Sequence, residues 1–164
     1  MSEIHLVIEG EPIAKRRHRV AIRGKRAIAY SDQKGEETAF KAHLLSQIPY
    51  GFKMLEGPLS VDCVFYKSRP KSHYGTGRNS GRLKPSAPAL PITTPDSDNY
   101  CKFANDAMND LIFVDDRQIV DSSEKKRFSR YPRTEICVST IRDNGGVNCP
   151  ANLNAQNVSG NGNI

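Results

Sequence analysis

Apolar and polar positions along the chain predict a small β-sheet. Residues 4–9 are β-branched and apolar and end at Gly10, which predicts a first strand. Residues 58–67 alternate between apolar and polar side chains, as a half-buried strand does, and residues 134–141 alternate most clearly. The mixed segment 119–129, with its basic end, is a further strand candidate. We expect the strand at 58–67 to lie in the same sheet as the first strand.

A hairpin and a helix are predicted between the first two of these strands. Two short strands, 19–22 and 26–30, flank a turn at 23–25 whose glycine supplies a left-handed backbone conformation. Ser31 or Asp32 is then expected to cap a helix that runs to about Ile48, because Phe40, His43, Leu44 and Leu45 form an apolar stripe at helical spacing.

A second helix is predicted after Pro95. Proline holds the preceding Thr94 in an extended conformation, and Asp98 or Asn99 is a good N-cap for a helix that ends near Leu111. With the predicted strands, this gives an α+β fold: a small mixed β-sheet with two main helices.

Composition bounds the class of protein. The 164 residues suit one domain, which we place at residues 1–143 with a long basic loop inserted at 68–94; the Asn- and Gly-rich segment 144–164 is expected to be disordered. No apolar run reaches the ~20 residues of a membrane span, and the N-terminus lacks a signal pattern, so we expect a cytoplasmic protein without a membrane partner.

The cysteine pattern argues against a metal framework. The four cysteines are widely spaced, with no C-x-x-C pair and no nearby histidine at a zinc-site spacing. We therefore expect Cys63, Cys101 and Cys137 to be small buried hydrophobic residues, and no organic cofactor is indicated.

Positive charge is concentrated in two segments. The chain carries 24 Lys and Arg residues against 18 acids, and seven basic residues lie between Lys15 and Arg26 without an acid among them. Six more lie between Lys67 and Lys84, which favours a mobile phosphate-binding arm. The alternative is a merely solvated basic surface. The predicted DNA-binding residues are Lys15, Arg16, Arg17, Arg19, Arg23, Lys25, Arg26, Lys71, Arg78, Arg82 and Lys84.

Negative charge is concentrated between Asp96 and Glu124, where eight of the 18 acids fall. On an extended backbone, Asp96 and Asp98 share one face, and Lys102 lies one helical turn after Asp98. Six extended residues after the helix, covering about 18 to 20 Å, would bring Asp116 back beside them. Carboxylates in this arrangement suit Mg²⁺, or Mn²⁺ as a substitute, and metal-assisted phosphodiester hydrolysis, with Lys102 neutralising charge on the phosphate.

Each of these residues also has a simpler interpretation. Taken singly, Asp98 is most often a helix cap, Lys102 a solvated helix residue, and Asp115 with Asp116 a turn. The combination with basic flanks is what favours a metal site.

The acidic region resembles the RusA family of Holliday junction resolvases. The resemblance rests on Asp96-Ser97-Asp98-Asn99-x-x-Lys102-x-x-x-Asp106-Ala107-Met108, on Asp115-Asp116-x-Gln118-Ile119, on Gly10-x-Pro12-x-x-Lys15-x-Arg17-x-Arg19, and on Pro132-Arg133-x-x-Ile136. It covers residues 4–142. The long loop at 68–94 and the Asn-rich tail depart from the family pattern.

The resemblance implies a site and an assembly. Asp96, Asp98 and Asp116 would be the Mg²⁺-binding catalytic acids and Lys102 the catalytic lysine, with Asn99, Asp106, Asp115 and Gln118 in supporting roles. The enzyme would be a homodimer that cuts two opposed strands of a four-way DNA junction in recombination and repair, and relatives of this kind are commonly encoded by phages or prophages. Two alternatives stay open: a less selective nuclease acting on flaps and other branched DNA, and a junction-binding protein without catalysis.

Overall fold

The computed structural model describes residues 2–17, 19–23, 26–30 and 32–141, with backbone alone at 19–23 and 27–30. Its main elements are β1 (Glu3–Glu9), β2 (Arg19–Arg23), β3 (Arg26–Tyr30), α1 (Lys34–Gln47), β4 (Leu59–Lys67), α2 (Ser97–Met108), β5 (Ile119–Phe128) and β6 (Arg133–Thr140). The predicted disorder of 144–164 lies outside the described residues.

The strands form a four-stranded mixed sheet in the order β1-β6-β4-β5. β6 pairs antiparallel with β1 and with β4, whereas the edge strand β5 runs parallel to β4. β2 and β3 form a separate antiparallel hairpin. The predicted α+β class, with a small mixed sheet and two main helices, is confirmed.

Both helices cover one face of the sheet. Alternation along β1 and β4 directs Ile4, Leu6 and Ile8, and then Val61, Cys63 and Phe65, into one buried core with the helices. α1 contributes Phe40, which meets Phe103 of α2 edge to face with ring centroids 5.4 Å apart. α2 also stacks Tyr100 on Phe65 at 5.1 Å. The sheet therefore fixes the position of α2.

The helix starts differ from the predictions. α1 begins at Lys34 with Gln33 at its N-cap position, one residue after the predicted Asp32, and the alternative cap Ser31 lies outside the described residues. Only Phe40 and Leu44 of its predicted stripe are buried; His43 and Leu45 are exposed. The stripe is narrower than expected because one helix face alone reaches the core.

α2 also begins earlier than predicted. Its N-cap position is Asp96, so Asp98 lies in the first turn and not at the cap. The helix ends at Met108, three residues before the predicted Leu111, because Asp110 takes a left-handed φ of 62° and the backbone N–H groups of Leu111 and Ile112 both bond to the Met108 carbonyl.

The loop at 68–94 is closed by its own hydrogen bonds. The backbone N–H of Gly75 donates to the carbonyl of Arg82, and that of Lys84 donates to the carbonyl of His73, both at 2.9 Å. Arg69 stacks over the Phe128 ring at 4.4 Å and so attaches the loop to the end of β5. Cys63, Cys101 and Cys137 are buried, as predicted. Neither helix in the described part of the chain is long and apolar enough to cross a bilayer.

Candidate active site

Two aspartates and a lysine lie at the N-terminal end of α2. Asp96 ends the extended segment before the helix, and its exposed side chain makes no capping hydrogen bond. Asp98 lies in the first turn, and Lys102, one turn on, donates from Nζ to its Oδ2 at 2.9 Å. The side chains of Lys102 and Asp98 are 64% and 53% exposed. The pair therefore faces solvent and is open to a ligand.

The ion pair fixes the charge state of both partners. The hydrogen bond from Lys102 lowers the pKa of Asp98 below its usual value. The same bond raises the pKa of Lys102, and the nearby charge of Glu124 adds to this shift. At neutral pH the site therefore presents a carboxylate and an ammonium group, both ionised.

The segment before Asp96 is held by two lysines from neighbouring strands. Lys126 of β5 donates from Nζ to the carbonyls of Thr93 and Pro95, at 2.9 and 3.0 Å. Lys67 of β4 donates to the carbonyl of Thr94 at 3.4 Å. We call Lys67 and Lys126 the carbonyl clamp. It binds three successive carbonyls, the last of them directly before Asp96, to the end of the sheet.

Within the carbonyl clamp, the protonated form of Lys67 is less favoured than it is in water. Burial, and then the charge of Lys126, lower the pKa of Lys67. Lys67 also lies 5.9 Å from the centroid of the buried Tyr100 ring, which helps to keep it between β4 and α2. Two half-buried like charges side by side are tolerated here because each ammonium group bonds to carbonyl oxygens.

Lys126 and Glu124 were missed by sequence reasoning, although a signal was available. In the parallel pairing, Glu124 is opposite Cys63 and Lys126 is opposite Phe65, and both of these β4 residues face the core. Alternation therefore directs Glu124 and Lys126 toward α2 and Lys125 away from it. With the register of β5 assigned, the sequence would have placed Lys126 on the face toward α2 and Lys125 and Arg127 off that face.

Asp116 does not join the other two aspartates within one chain. It begins a short 3₁₀ turn, Asp116–Gln118, that leads into β5. That strand starts beside the C-terminal end of α2 and finishes at the carbonyl clamp, and α2 alone separates Asp98 from Met108 by about 15 Å. Among the described residues, no group of three metal-type donor atoms includes these aspartates. The predicted return of Asp116 assumed an extended chain, whereas residues 108–113 form a tight turn.

Asp115 is bonded to Arg117, whereas the neighbouring Asp116 is exposed. Its carboxylate caps the 3₁₀ turn by accepting from the Arg117 N–H at 2.9 Å, and it also receives two bonds from the Arg117 guanidinium. These bonds lower its pKa to about 2. Gln118 completes the capping box and donates to the carbonyls of Leu55 and Gly57, both at 3.1 Å. Asp115 and Gln118 thus cap this turn and hold it against residues 55–57, and their supporting role in a catalytic site stays a prediction.

The comparison with known proteins decides the family. Residues 9–139 match the family model described as endodeoxyribonuclease RusA. The chain belongs to the RusA family. It is therefore an endonuclease that hydrolyses DNA, as predicted. The chain is also 33% identical over 141 residues to the uncharacterized protein YqaN of Bacillus subtilis (strain 168), a match that covers 86% of this chain and 99% of YqaN.

Some basic residues of this RusA family member are committed to internal contacts. Lys15 bridges both helices, with Nζ 2.8 Å from Asp106 and 3.0 Å from Glu37, and its backbone N–H donates to the Asn99 carbonyl at 2.8 Å. Arg16 pairs with Glu36 of α1 at 2.8 Å. Lys15 and Arg16, predicted to bind DNA, thus already have acidic partners, and the supporting residues Asn99 and Asp106 anchor the N-terminal loop.

Other basic residues remain available to an anionic ligand. Arg17 and Arg26 are exposed, as are Lys71, Arg78 and Arg82 of the long loop, and none of the five has an ion pair within the described chain. Lys84 is exposed but donates to the Ser72 carbonyl at 2.9 Å. The predictions for Arg19, Arg23 and Lys25 fall on side chains outside the described part.

Proposed function

We propose that this RusA family member is a Mg²⁺-dependent endonuclease, with Mn²⁺ as a substitute, that resolves four-way DNA junctions by paired phosphodiester hydrolysis during recombination and repair. It would act as a homodimer in the bacterial cytoplasm, whether encoded by the host or by a phage. The observation that carries the proposal is the exposed ion pair of Asp98 and Lys102, two residues after the exposed Asp96, whose side chain makes no capping hydrogen bond.

The residues at the head of α2 fit a hard divalent cation. Mg²⁺ is usually held by one or two carboxylates and keeps several positions for water and phosphate. Asp96 and Asp98 offer two exposed carboxylates at a helix N-terminus. When bound, such a cation supplies an activated water and stabilises negative charge on the phosphate oxygens. Asp96 and Asp98 are the residues we propose to hold it.

Lys102 and the carbonyl clamp have separate tasks in this proposal. Lys102 is kept protonated by Asp98, and its remaining N–H donors can reach a phosphate oxygen whose negative charge grows during hydrolysis. The carbonyl clamp holds the backbone before Asp96, so that this carboxylate stays in one position as the scissile phosphate binds. Neither task requires a proton to leave a lysine.

A homodimer would supply the third carboxylate. Asp116 is exposed, and its neighbour Asp115 is already bonded to Arg117. Since one chain keeps Asp116 at the far end of α2, we propose that the partner subunit's Asp116 completes the site of Asp96 and Asp98. Two such sites related by the dimer axis would produce the paired cuts that junction resolution needs.

The first experiment compares DNA substrates. The wild-type protein with Mg²⁺ should introduce paired symmetrical nicks into a synthetic four-way junction, and it should cut a flap or a linear duplex much more slowly. Asp98→Asn should abolish cutting while junction binding persists. The matched control is Asp110→Asn, because asparagine tolerates the left-handed backbone there and the same charge is removed away from the site. Equal cutting of flaps would favour the less selective nuclease, and binding without cutting would remove the enzyme interpretation.

The second experiment tests the shared site by mixing variants. Asp98→Asn and Asp116→Asn chains should each be inactive alone. In a mixed dimer, one of the two shared sites has all three of its carboxylates, so nicking of a single strand should return. If each site belonged wholly to one chain, both sites of the mixed dimer would be defective and no activity would appear.

A further inference from the structure

A second cluster of metal-type donors lies on the face of the sheet away from the helices. Ile4, Leu6 and Ile8 of β1 point into the core, so the alternating residues Glu3 and His5 point to the opposite face. Cys137 of β6 is the direct cross-strand partner of His5. The three side chains meet although 132 residues separate His5 from Cys137.

The donor atoms of this cluster converge. Cys137 Sγ lies 3.6 Å from Glu3 Oε1 and 4.0 Å from His5 Nε2, and His5 Nε2 contacts Glu3 Oε1 directly. All three atoms lie within 4.8 Å of one another. Tetrahedral zinc, with bonds of about 2.3 Å to sulfur and 2.0 to 2.1 Å to nitrogen and oxygen, holds such atoms roughly 3.4 to 3.6 Å apart. Both separations from sulfur are thus within about half an ångström of what zinc requires.

We propose that Glu3, His5 and Cys137 bind a Zn²⁺-type transition-metal ion. A thiolate, an imidazole and a carboxylate together favour zinc and its neighbours, whereas Mg²⁺ takes oxygen ligands. A small rotation of the exposed Glu3 side chain would exchange its contact with His5 for a bond to the ion. The active site at α2 plays no part in this proposal, which stands on the β1–β6 pairing.

The neighbouring strand β4 offers a candidate for the fourth donor. Asp62 of β4 is the cross-strand partner of Cys137 on its other side, so its carboxylate lies on the same face one strand away. Either Asp62 or a water molecule can take the fourth position. An ion here would join the edge strand β1 to the interior strand β6, and it would therefore have a structural role.

The cluster is more than a surface ion pair. Glu3 and His5 alone would be a common exposed contact of little energetic value. Cys137 is only 7% exposed, and the ring and the carboxylate both approach its sulfur. The donors show no zinc-site spacing along the chain because strand pairing, and not a local motif, brings them together.

The test is a metal titration of the full chain after removal of bound metals with EDTA and dialysis. Co²⁺ should bind with one ion per chain and produce a thiolate-to-metal absorption band with tetrahedral visible bands, and Zn²⁺ should displace it. Zn²⁺ should also raise the midpoint of thermal unfolding. Cys137→Ser should lose the thiolate band. His5→Gln and Glu3→Gln keep the cysteine and should each weaken Co²⁺ binding at least about tenfold, since even outer-shell changes cost 10- to 100-fold.

Two controls make the result decisive. Cys63→Ala removes a buried thiol of β4 that lies on the core face and should keep the band. Wild-type protein without the band, or a Cys137→Ser variant that retains it, would overturn the proposal. If Cys137→Ser does not fold, the two glutamine variants decide: unchanged Co²⁺ affinity in both would equally overturn it.

Discussion

Lys126 offers the sharpest test of how the candidate active site is positioned. Lys126→Met keeps the half-buried aliphatic stem and removes only the ammonium group, which donates to the carbonyls of Thr93 and Pro95. Hydrogen bonds from charged groups contribute about 1.5 to 3 kcal/mol each, but water can replace these partly exposed ones, so we estimate a total loss of about 1 to 2 kcal/mol in the ordering of the segment before Asp96. A loss of 1.4 kcal/mol corresponds to about tenfold in rate.

The assay is single-turnover cutting of a four-way junction at saturating enzyme. Lys126→Met should cut about tenfold more slowly and need more Mg²⁺ for half-maximal rate. Junction affinity and its dependence on salt should stay unchanged, because the ammonium group is already committed to backbone carbonyls. Lys125→Met is the matched control, since it removes the same charge from the opposite face of β5.

Two outcomes would refute this reasoning. Equal loss of rate in the Lys125 and Lys126 variants would show that only the charge of the strand matters. A fall in junction affinity with a flatter salt dependence, at an unchanged single-turnover rate and Mg²⁺ requirement, would show that Lys126 contacts DNA and does not position Asp96.

Three further predictions concern charge. Lys102→Met should raise the pKa of Asp98 toward its ordinary value, measured by carbon-detected NMR titration of its carboxyl, and should slow cutting about 10²- to 10³-fold; an unmoved pKa would contradict the assigned ion pair. Replacing Arg78 and Arg82 by Gln should reduce the slope of log affinity against log salt by about 2, and an unchanged slope would remove the loop from the DNA interface. Because the pKa of Asp115 is lowered from 3.8 to about 2, its stabilisation is complete above about pH 4 and is lost as the pH falls through 2. Urea unfolding of Asp115→Ala should show a deficit at pH 7 that shrinks toward pH 2, and a constant deficit would contradict this.

Sequence patterns predicted the strands well and the helix ends less well. The β-branched, apolar run 4–9 and the alternating segments 58–67 and 134–141 match strands because each has one face against the core. The start of α2 was misplaced because Asp96 and Asp98 are both good capping residues, and the structure uses the Asp96 position without a side-chain capping bond.

For the candidate site, the sequence predicted the local pairing of Asp98 with Lys102 but not the position of Asp116. Helical spacing correctly brought Lys102 to Asp98, since pairs four residues apart meet on any helix. The length of the chain after α2 limits only the distance at which Asp116 can lie. The direction of that chain is set by the left-handed Asp110 and the tight turn around it. Helical spacing therefore predicted a contact within α2, whereas chain length alone could not predict where the following segment turns.

The basic residues show why a count of charges overestimates a DNA interface. Lys15 and Arg16 carry acidic partners with them, so their approach to a phosphate releases few counterions, and Lys126 is bound to carbonyls. Each phosphate neutralised changes the slope of log affinity against log salt by about 0.9. We assign that contribution to cations such as Arg78 and Arg82, for which the described residues supply no acidic partner. The measured slope should therefore be well below the one that all predicted DNA-binding residues together would give. A slope near that larger value would mean that the internal ion pairs open when DNA binds.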